Sequence, residues 1–292
     1  MSKAKTRYDY LSKYRTTYLD TAYQCAQLTL PTLIRQDDEG GRSTHARLIT
    51  PWQSVGAKGV VTLASKLMLA LLPPQTSFFK LQIDDNKVGV DIPPEARSEL
   101  DLSFAKLERS VMEIIAASSD RVTVHQALKH LVVAGNALVY MGPKGLKLYP
   151  LNRYVVDRDG NGEVLEIVTK ERISRKLLQP ILNSALPVNP PGEDGADNEE
   201  DVDVYTWVRR DNNRFIWHQE VFDKVIPGSQ GKAPLEANPW LVLRFNVVDG
   251  EPFGRGRVEE FLGDLRSLEA LMQALVEGSA VAAKVVFTVS PS

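Results

Sequence analysis

The sequence has little cysteine and almost no net charge. Cys25 is the single cysteine among 292 residues and cannot form an internal disulfide, and the basic start MSKAKTRYDY lacks the apolar stretch of a secretion signal. Lys and Arg number 35 against 37 for Asp and Glu, so no overall positive field attracts nucleic acid. These shortages favour a protein of the reducing cytosol whose contacts with DNA would be local.

Long apolar runs are also missing. The strongest run, residues 60–72, contains Ser65 and Lys66 and ends at two prolines, so it is too short to cross a bilayer core of about 30 Å. Hydrophobic residues make up 43% of the chain and charged residues 25%, which is close to the averages of folded proteins. We therefore expect a folded protein of one large or two ordinary domains that is not inserted in a membrane.

Helical patterns dominate the first half of the chain. Apolar residues spaced by three and four predict helices over residues 5–30, 52–72, 94–117 and 122–134. The apolar face of the first helix runs through Tyr8, Leu11, Tyr14 or Arg15, Tyr18, Ala22 and Cys25. The apolar residues of the second helix nearly surround its axis, which predicts burial on more than one side.

Proline and glycine mark the expected ends of these helices. Pro31 is expected to end the first helix, and Thr50 and Pro51 are expected to cap and begin the second. Gly135 is predicted to end the fourth helix in a left-handed conformation, because glycine adopts positive φ without steric cost.

Residues 137–248 favour β-structure. Short β-favouring runs separated by turns at residues 142–145 and 157–162 predict a meander, and strand signals resume at residues 202–209, 214–218 and 240–248. Residues 183–203 are rich in Asn, Pro, Gly and acids, which predicts an exposed loop. One earlier strand is predicted at residues 77–83. The sequence therefore indicates an α+β fold with a mainly helical N-terminal half.

A long last helix is predicted over residues 255–284, about 40 Å at 1.5 Å per residue. Its apolar stripe includes Phe261, Leu262, Leu265, Leu268, Leu271 and Leu275, and its acids are Glu259, Glu260, Asp264, Glu269 and Glu277. Such a helix needs a long partner surface. A strand-like run follows at residues 285–289 with no sequential partner, so we expect the chain to be the N-terminal part of a longer product.

One motif is similar to a cation-binding loop. Asp157-x-Asp159-x-Asn161-Gly162 matches the start of an EF-hand, in which alternating oxygen ligands surround calcium. The twelfth position is Val168, where the loop requires a bidentate Glu, and the flanking residues favour strands instead of helices. We therefore interpret the segment as a hairpin turn, with a calcium site as the alternative.

No other motif supports catalysis or a cofactor. Residues 228–233 resemble a phosphate loop but lack its first glycine and its hydroxyl. Residues 253–256 lack the third glycine of a dinucleotide fingerprint, and the acids that follow complement the helix dipole instead. The histidines His45, His125, His130 and His218 make a poor metal site. We expect no enzyme activity, no cofactor, no metal and no catalytic residue.

Several long segments resemble one protein family. They are YQCAQLTLP, TPWQSVGAKGV, LASKLMLALLPPQT, HQALKHLVVAGNALVY, LYPLNRYVVDRDGNGEVLEIVTKERI, DVYTWV and DGEPFGRGRVEEFLGDLRSLEAL. In content and order these segments are similar to head-to-tail connectors, the portal proteins of short-tailed, T-seven-like phages (podoviruses). The resemblance covers residues 8–284 and is weakest at residues 177–201.

The resemblance implies a ring-forming portal subunit, in a homo-oligomer that is usually a dodecamer. The ring would occupy one vertex of the capsid, where a separate terminase packages double-stranded DNA through the channel and the DNA later leaves through the tail. The implied partners are terminase, the major capsid and scaffolding proteins, the tail adaptor and internal core proteins. The implied location is the virion, and the host cytoplasm during assembly.

The resemblance also implies a division of the chain. Residues 1–254 would form the wing, residues 255–284 the first stem helix, and residues 285–292 the start of the clip. The acids named above are candidates to face the channel, and the six apolar residues are candidates to pack the stem. Two alternatives stay open: a phage-encoded DNA-processing enzyme, which would need converging carboxylates able to hold metal, and another ring-forming virion component such as a tail adaptor.

Overall fold

The computed structural model describes residues 3–35, 50–74, 76–83, 93–174, 178 and 201–284. These residues form the helices α1 (Lys3–Gln27), α2 (Val55–Leu71), α3 (Pro94–Ala117), α4 (Asp120–Ala134) and α5 (Leu262–Ala282). They also form the strands β1 (Asn136–Gly142), β2 (Gly145–Tyr149), β3 (Tyr154–Arg158), β4 (Val164–Ser174), β5 (Asp201–Asp211), β6 (Arg214–Val221), β7 (Lys224–Val225), β8 (Gly231–Pro234) and β9 (Trp240–Arg244). The expected mixture of helices and sheets is confirmed. None of the described helices is long and apolar enough to cross a membrane.

Helix α1 packs along the larger sheet through the predicted face. Arg15, not Tyr14, occupies the ambiguous position on that face, and Tyr14 is 55% exposed. The Arg15 guanidinium donates hydrogen bonds to the backbone carbonyls of Leu151 and Tyr154, so its charge is buried with acceptors around it. The helix ends at Gln27, ahead of Pro31.

Helix α2 begins later than the sequence predicts. Thr50 and Pro51 lie outside the helix, which starts at Val55. The backbone N–H groups of Trp52 and Gln53 donate to the carboxylate of Glu269, a partner far along the chain, while the side chain of Gln53 accepts the N–H of Gly56 in the first turn of the helix.

One face of α2 is buried, and the expectation of burial on several sides is wrong for the part of the chain that the structure describes. The buried face consists of Gly56, Val60, Ala64 and Met68, while Val55, Val61, Leu69 and Leu71 are exposed. Gly56 is required there because a Cβ atom would lie 2.6 Å from the carbonyl oxygen of Leu28.

The strands form two antiparallel sheets. The smaller sheet has the order β2-β1-β9, and the larger has the order β3-β4-β5-β6-β7, with β8 also paired to β6. The predicted meander is therefore interrupted, because Pro150 and a 3-10 turn at Leu151–Arg153 lead the chain from one sheet to the other. The predicted hairpin at residues 157–162 is confirmed, since β3 pairs with β4 across it.

Two further predictions concern residues 77–83, which differ from the expected strand, and the expected loop, most of which lies outside the described residues. Residues 77–83 form no strand, and their backbone pairs with no described strand; the N–H of Leu81 instead donates to the Glu108 carboxylate. Of the predicted loop, residues 183–200 lie outside the described residues, and residues 201–203 begin β5. His45 and residues 285–292 also lie outside them.

The main core lies where α1 and α4 meet both sheets. It includes Cys25, Val132, Val133, Leu138, Tyr154, Ile167, Val208, Phe253 and Val258. Gly135 ends α4 at φ 72°, which confirms the predicted left-handed residue. The core thus holds the segment from which the last helix leaves the molecule.

Candidate assembly surface on the last helix

The segment before the last helix is locked into the core. Phe253 and Val258 are buried, and the side-chain amide of Asn136 both donates to the carbonyl of Gly254 and accepts from its N–H, each at 2.7 Å. A Cβ atom on Gly256 would lie 2.4 Å from the carbonyl oxygen of Val133. The glycines that suggested a dinucleotide loop are therefore explained by close approach of two backbones.

An ionic cluster also fixes the start of this helix. The Arg255 guanidinium binds the carboxylates of Glu251 at 2.7 Å and Glu259 at 2.6 Å, and it lies 5.2 Å from the ring centre of Tyr18. Hydrogen bonds to Glu251 and Glu259 raise the pKa of Arg255, and the bond from Arg255 lowers the pKa of Glu251. The charged state of the cluster is thus favoured near neutral pH.

The predicted helix is divided at its start. Val258–Phe261 form a 3-10 turn, and α5 follows to Ala282. Leu262 and Leu265 pack against the core, and Arg266 donates to the side chain of Gln24.

Beyond Glu269, α5 leaves the rest of the described molecule. No residue of α5 is buried, and Leu271 and Leu275 of the predicted stripe are 67% and 64% exposed. A stripe of apolar residues spaced by three and four is unfavourable in water, because full burial stabilises each leucine side chain by about 1.5–3 kcal/mol of free energy. The distal half of α5 therefore presents an apolar face that this chain does not cover within its described residues.

The acids of this helix have separate surroundings. Glu259 binds Arg255, and Glu260 binds Arg257 and accepts from the side chain of Asn246. Glu269 accepts the two N–H groups before α2, Glu277 accepts from the side chain of Gln273, and Asp264 lies exposed beside an apolar groove. Among the described residues, no three His, Cys, Asp or Glu side chains are grouped to hold a metal ion.

The groove beside Asp264 extends the exposed apolar surface. It has a volume of about 420 Å³ and runs between α2 and the base of α5, lined mainly by Val55, Gly59, Val60, Leu63, Val132, Val258, Phe261, Leu265 and Leu268. Phe261 is exposed at its edge. The groove thus adds to the exposed apolar surface of α5.

A second bare helix was not singled out as a site by sequence reasoning. None of residues 95–117 of α3 is buried, although the apolar stripe of this helix is as regular as that of α5. The exposed positions are Leu100, Leu102, Leu107, Val111 and Ile114. The apolar stripe itself was the signal in the sequence that could have found this helix. Monomeric proteins rarely expose a large apolar patch, so an exposed stripe marks a site of interaction.

Comparison with known proteins identifies the family. The sequence model of the bacteriophage head to tail connecting protein family matches residues 1–292. The chain belongs to this family. The portal protein of Enterobacteria phage T3 is 40% identical over 295 residues, which cover 99% of this chain and 54% of the relative. The portal protein of Escherichia phage T7 is 39% identical over 296 residues, with 99% and 54% covered.

The resemblance inferred from sequence segments is thereby confirmed for the family. A portal protein from Enterobacteria phage SP6 is 29% identical over 292 residues, which cover 99% of this connector chain and 56% of the relative. This connector chain spans about half the length of the curated relatives it matches.

The one thiol of this connector chain is inaccessible. Cys25 is fully buried, and burial raises the pKa of its thiol to about 12. A nucleophilic cysteine needs the thiolate form and access to substrate, so Cys25 serves as core packing.

Proposed function

We propose that this connector chain is part of a portal subunit, a structural protein that assembles into a ring at one vertex of the phage capsid. The ring is a conduit for packaging and ejecting the genome, and the subunit has no chemistry of its own. The bare apolar faces of α3 and α5 carry this proposal. In a closed ring each subunit meets its neighbour through two different surfaces, and two unpartnered amphipathic helices supply them.

The division into a wing, a stem and a clip is part of the proposal. Residues 1–254 form the wing, residues 255–284 the first stem helix, and residues 285–292 the start of the clip. The rigid base at Phe253 to Val258 and the bare distal half of α5 support a helix that projects from a fixed body. Phe261, Leu262, Leu265, Leu268, Leu271 and Leu275 then pack the stem, the first four near the body and the last two against a neighbour.

We also propose that acids of the stem face the channel. Glu277 is the favoured member of the set, because it is exposed, has no ionic partner among the described residues and lies away from the helix face of Leu271 and Leu275. Asp264 is exposed too, but it lies seven residues before Leu271 and therefore on the same face of α5 as the leucines. Glu259, Glu260 and Glu269 already have partners within the chain, so they contribute less. A negative wall repels DNA phosphates and avoids the counterion release that would make DNA bind tightly.

The partners follow from this role. The subunit assembles as a dodecamer, and the ring receives DNA from terminase, sits among major capsid and scaffolding proteins, and contacts the tail adaptor and internal core proteins. The assembled ring belongs to the virion, after assembly in the host cytoplasm.

Negative-stain electron microscopy of the purified protein tests the ring. We expect end-on views of closed rings with a central hole wide enough for duplex DNA. The matched sample is a product of the full length of the relatives, imaged at the same concentration. Compact monomers from both samples would contradict the proposal, whereas rings from the longer product alone would assign closure to the additional residues.

A further inference from the structure

A half-enclosed cavity lies at the hairpin turn between β3 and β4. Its volume is about 370 Å³, and residues 247–252, which precede the last helix, form its opposite wall. Three arginines line it: Arg7 of α1, which is paired with the carboxylates of Asp157 and Glu166, Arg158 at the end of β3, and Arg244 at the end of β9. The sequence of this turn is similar to a calcium loop. The charges that line the cavity therefore decide whether it suits a cation or an anion.

Backbone carbonyls orient both guanidinium groups. Arg158 donates from Nε to the carbonyl of Pro252 at 3.0 Å, from Nη1 to that of Gly162 at 2.8 Å, and from Nη2 to that of Val242 at 3.3 Å. Arg244 donates from Nη1 to the carbonyl of Glu251 at 3.0 Å. Neutral carbonyls fix the direction of a guanidinium but do not neutralise its charge.

Gly162 brings the second arginine close to the turn. Its φ is 82°, a left-handed conformation, and a Cβ atom at this position would lie 3.0 Å from Nη2 of Arg244. The glycine of the calcium-like motif thus makes room for the guanidinium group of Arg244. Two guanidinium groups at the turn repel calcium, so the motif does not form a calcium site here.

The carboxylates around the cavity have other partners or lie at its edge. Asp157 binds Arg7, and Glu251 binds Arg255. Asp159 accepts the backbone N–H groups of Asn161 and Glu163 within the turn, and Asp249 lies on the exposed segment opposite.

Neither Arg158 nor Arg244 has a carboxylate partner among the described residues. Burial, together with the charge of Arg244, lowers the pKa of Arg158 to about 10. Two like charges that are partly removed from water, with no counterion from the described part of the chain, are costly unless an anion joins them.

We propose that this cavity binds a phosphate-type oxyanion between Arg158 and Arg244. Arg158 keeps two of its five N–H groups and Arg244 four that are not donated to these carbonyls, and phosphate accepts charge-assisted hydrogen bonds from such groups. The anion joins the hairpin turn to residues 247–252, whose Glu251 holds Arg255 at the base of the last helix. Free phosphate and the phosphodiester of nucleic acid share this chemistry. The site is independent of the proposed ring.

Isothermal titration calorimetry with inorganic phosphate at constant ionic strength tests the site. Arg158 donates hydrogen bonds to three backbone carbonyls, so its replacement would also disturb the fold. The informative variant is therefore R244Q, because the Arg244 guanidinium donates to only one of the carbonyls named above. We expect R244Q to bind phosphate at least about tenfold more weakly than the unmodified chain, because a charge-assisted hydrogen bond and a charge are lost together. Circular dichroism verifies that the variant is folded.

Two further variants make the result specific. D249N removes a negative charge from the edge of the cavity and should tighten phosphate binding about two- to threefold. R214Q removes an exposed arginine outside the cavity and should leave binding unchanged. No phosphate binding up to about 10 mM, or equal binding by the unmodified chain and R244Q, would overturn the proposal.

A competing DNA duplex distinguishes the two sources of phosphate. A short duplex that displaces inorganic phosphate from the unmodified chain supports a phosphodiester as the occupant. A duplex that leaves phosphate binding unchanged supports free phosphate. Duplex binding that is the same in R244Q, without any phosphate binding, would count against the site.

Discussion

His130 is a buried histidine whose protonation opposes folding. It lies in α4, and its Nδ1 has no hydrogen-bond partner among the described residues. Burial, assisted by Arg153 and Lys129, lowers the pKa of His130 from 6.5 to about 4. Above pH 6.5 the residue is neutral in both states, whereas between pH 6.5 and 4 the unfolded state takes up a proton that the folded state refuses.

Stability should therefore fall as the pH decreases through this window. We expect the unmodified chain to lose about 3 kcal/mol more than H130Q between pH 7.5 and pH 4, in line with about 1.4 kcal/mol per pKa unit. Urea unfolding at a series of pH values measures the free energy of unfolding of both proteins. The protonation of carboxylates affects both proteins alike, so it cancels in the difference between them. Parallel curves for the two proteins would contradict this account of His130.

Gly256 permits the contact that fixes the last helix to the core. G256A would place a Cβ atom 2.4 Å from the carbonyl oxygen of Val133. We expect a loss of about 1–3 kcal/mol in the free energy of unfolding, because backbone cannot move aside as a flexible side chain can. Urea unfolding monitored by tryptophan fluorescence provides the measurement.

Gly278 is the matched control for that substitution. It lies within α5, and nothing is within 4 Å of a Cβ atom built on it. G278A should be neutral or stabilise the helix by up to about 1 kcal/mol, because alanine has the higher helix propensity. Equal effects of the two substitutions would show that space at Gly256 does not matter.

At the scale of elements, Glu269 joins the last helix to the second one. Its carboxylate accepts the N–H of Trp52 at 2.8 Å and that of Gln53 at 3.3 Å, just before α2 begins. E269Q removes the negative charge and one acceptor, so we expect the chain to lose about 1 kcal/mol of unfolding free energy. E277Q, at an exposed acid farther along α5, should have no measurable effect on unfolding. A comparable loss in E277Q would contradict the capping role.

The element boundaries that sequence missed are those set by distant partners. Residues 94–117 match α3 because apolar spacing and Pro94 are local signals. The start of α2 was missed because its preceding N–H groups use Glu269, which lies more than 200 residues away. The strand predicted at residues 77–83 was wrong because β-propensity needs a partner strand, and no described strand lies beside it.

At the scale of the whole molecule, the apolar face of α5 predicts assembly. L275E places a charge within the exposed stripe, and we expect it to abolish or strongly reduce rings, because a buried unpaired carboxylate is unfavourable at a subunit contact. A280E places the same charge on the opposite side of α5 and should leave rings intact. Electron microscopy counts rings, and light scattering measures mass. Intact rings in L275E would exclude this stripe from the contact.

The sequence by itself determined the features that depend on neighbouring residues. It fixed the helical stripes, the left-handed end of α4 at Gly135 and the hairpin at residues 157–162, and its long segments identified the family. The stripes, the end of α4 and the hairpin each depend on spacing or on backbone preferences within a few residues. The apolar stripe of the last helix is another feature that local spacing determined.

Only the tertiary structure decided which surfaces are covered and which charges meet. The sequence did not reveal that Arg158 and Arg244 share one cavity, because β3 and β9 are far apart in the chain. Nor did it distinguish the buried face of α2 from the exposed faces of α3 and α5, since all three carry apolar stripes. Periodicity specifies that a face needs burial, and long-range packing decides whether this chain or another molecule provides it.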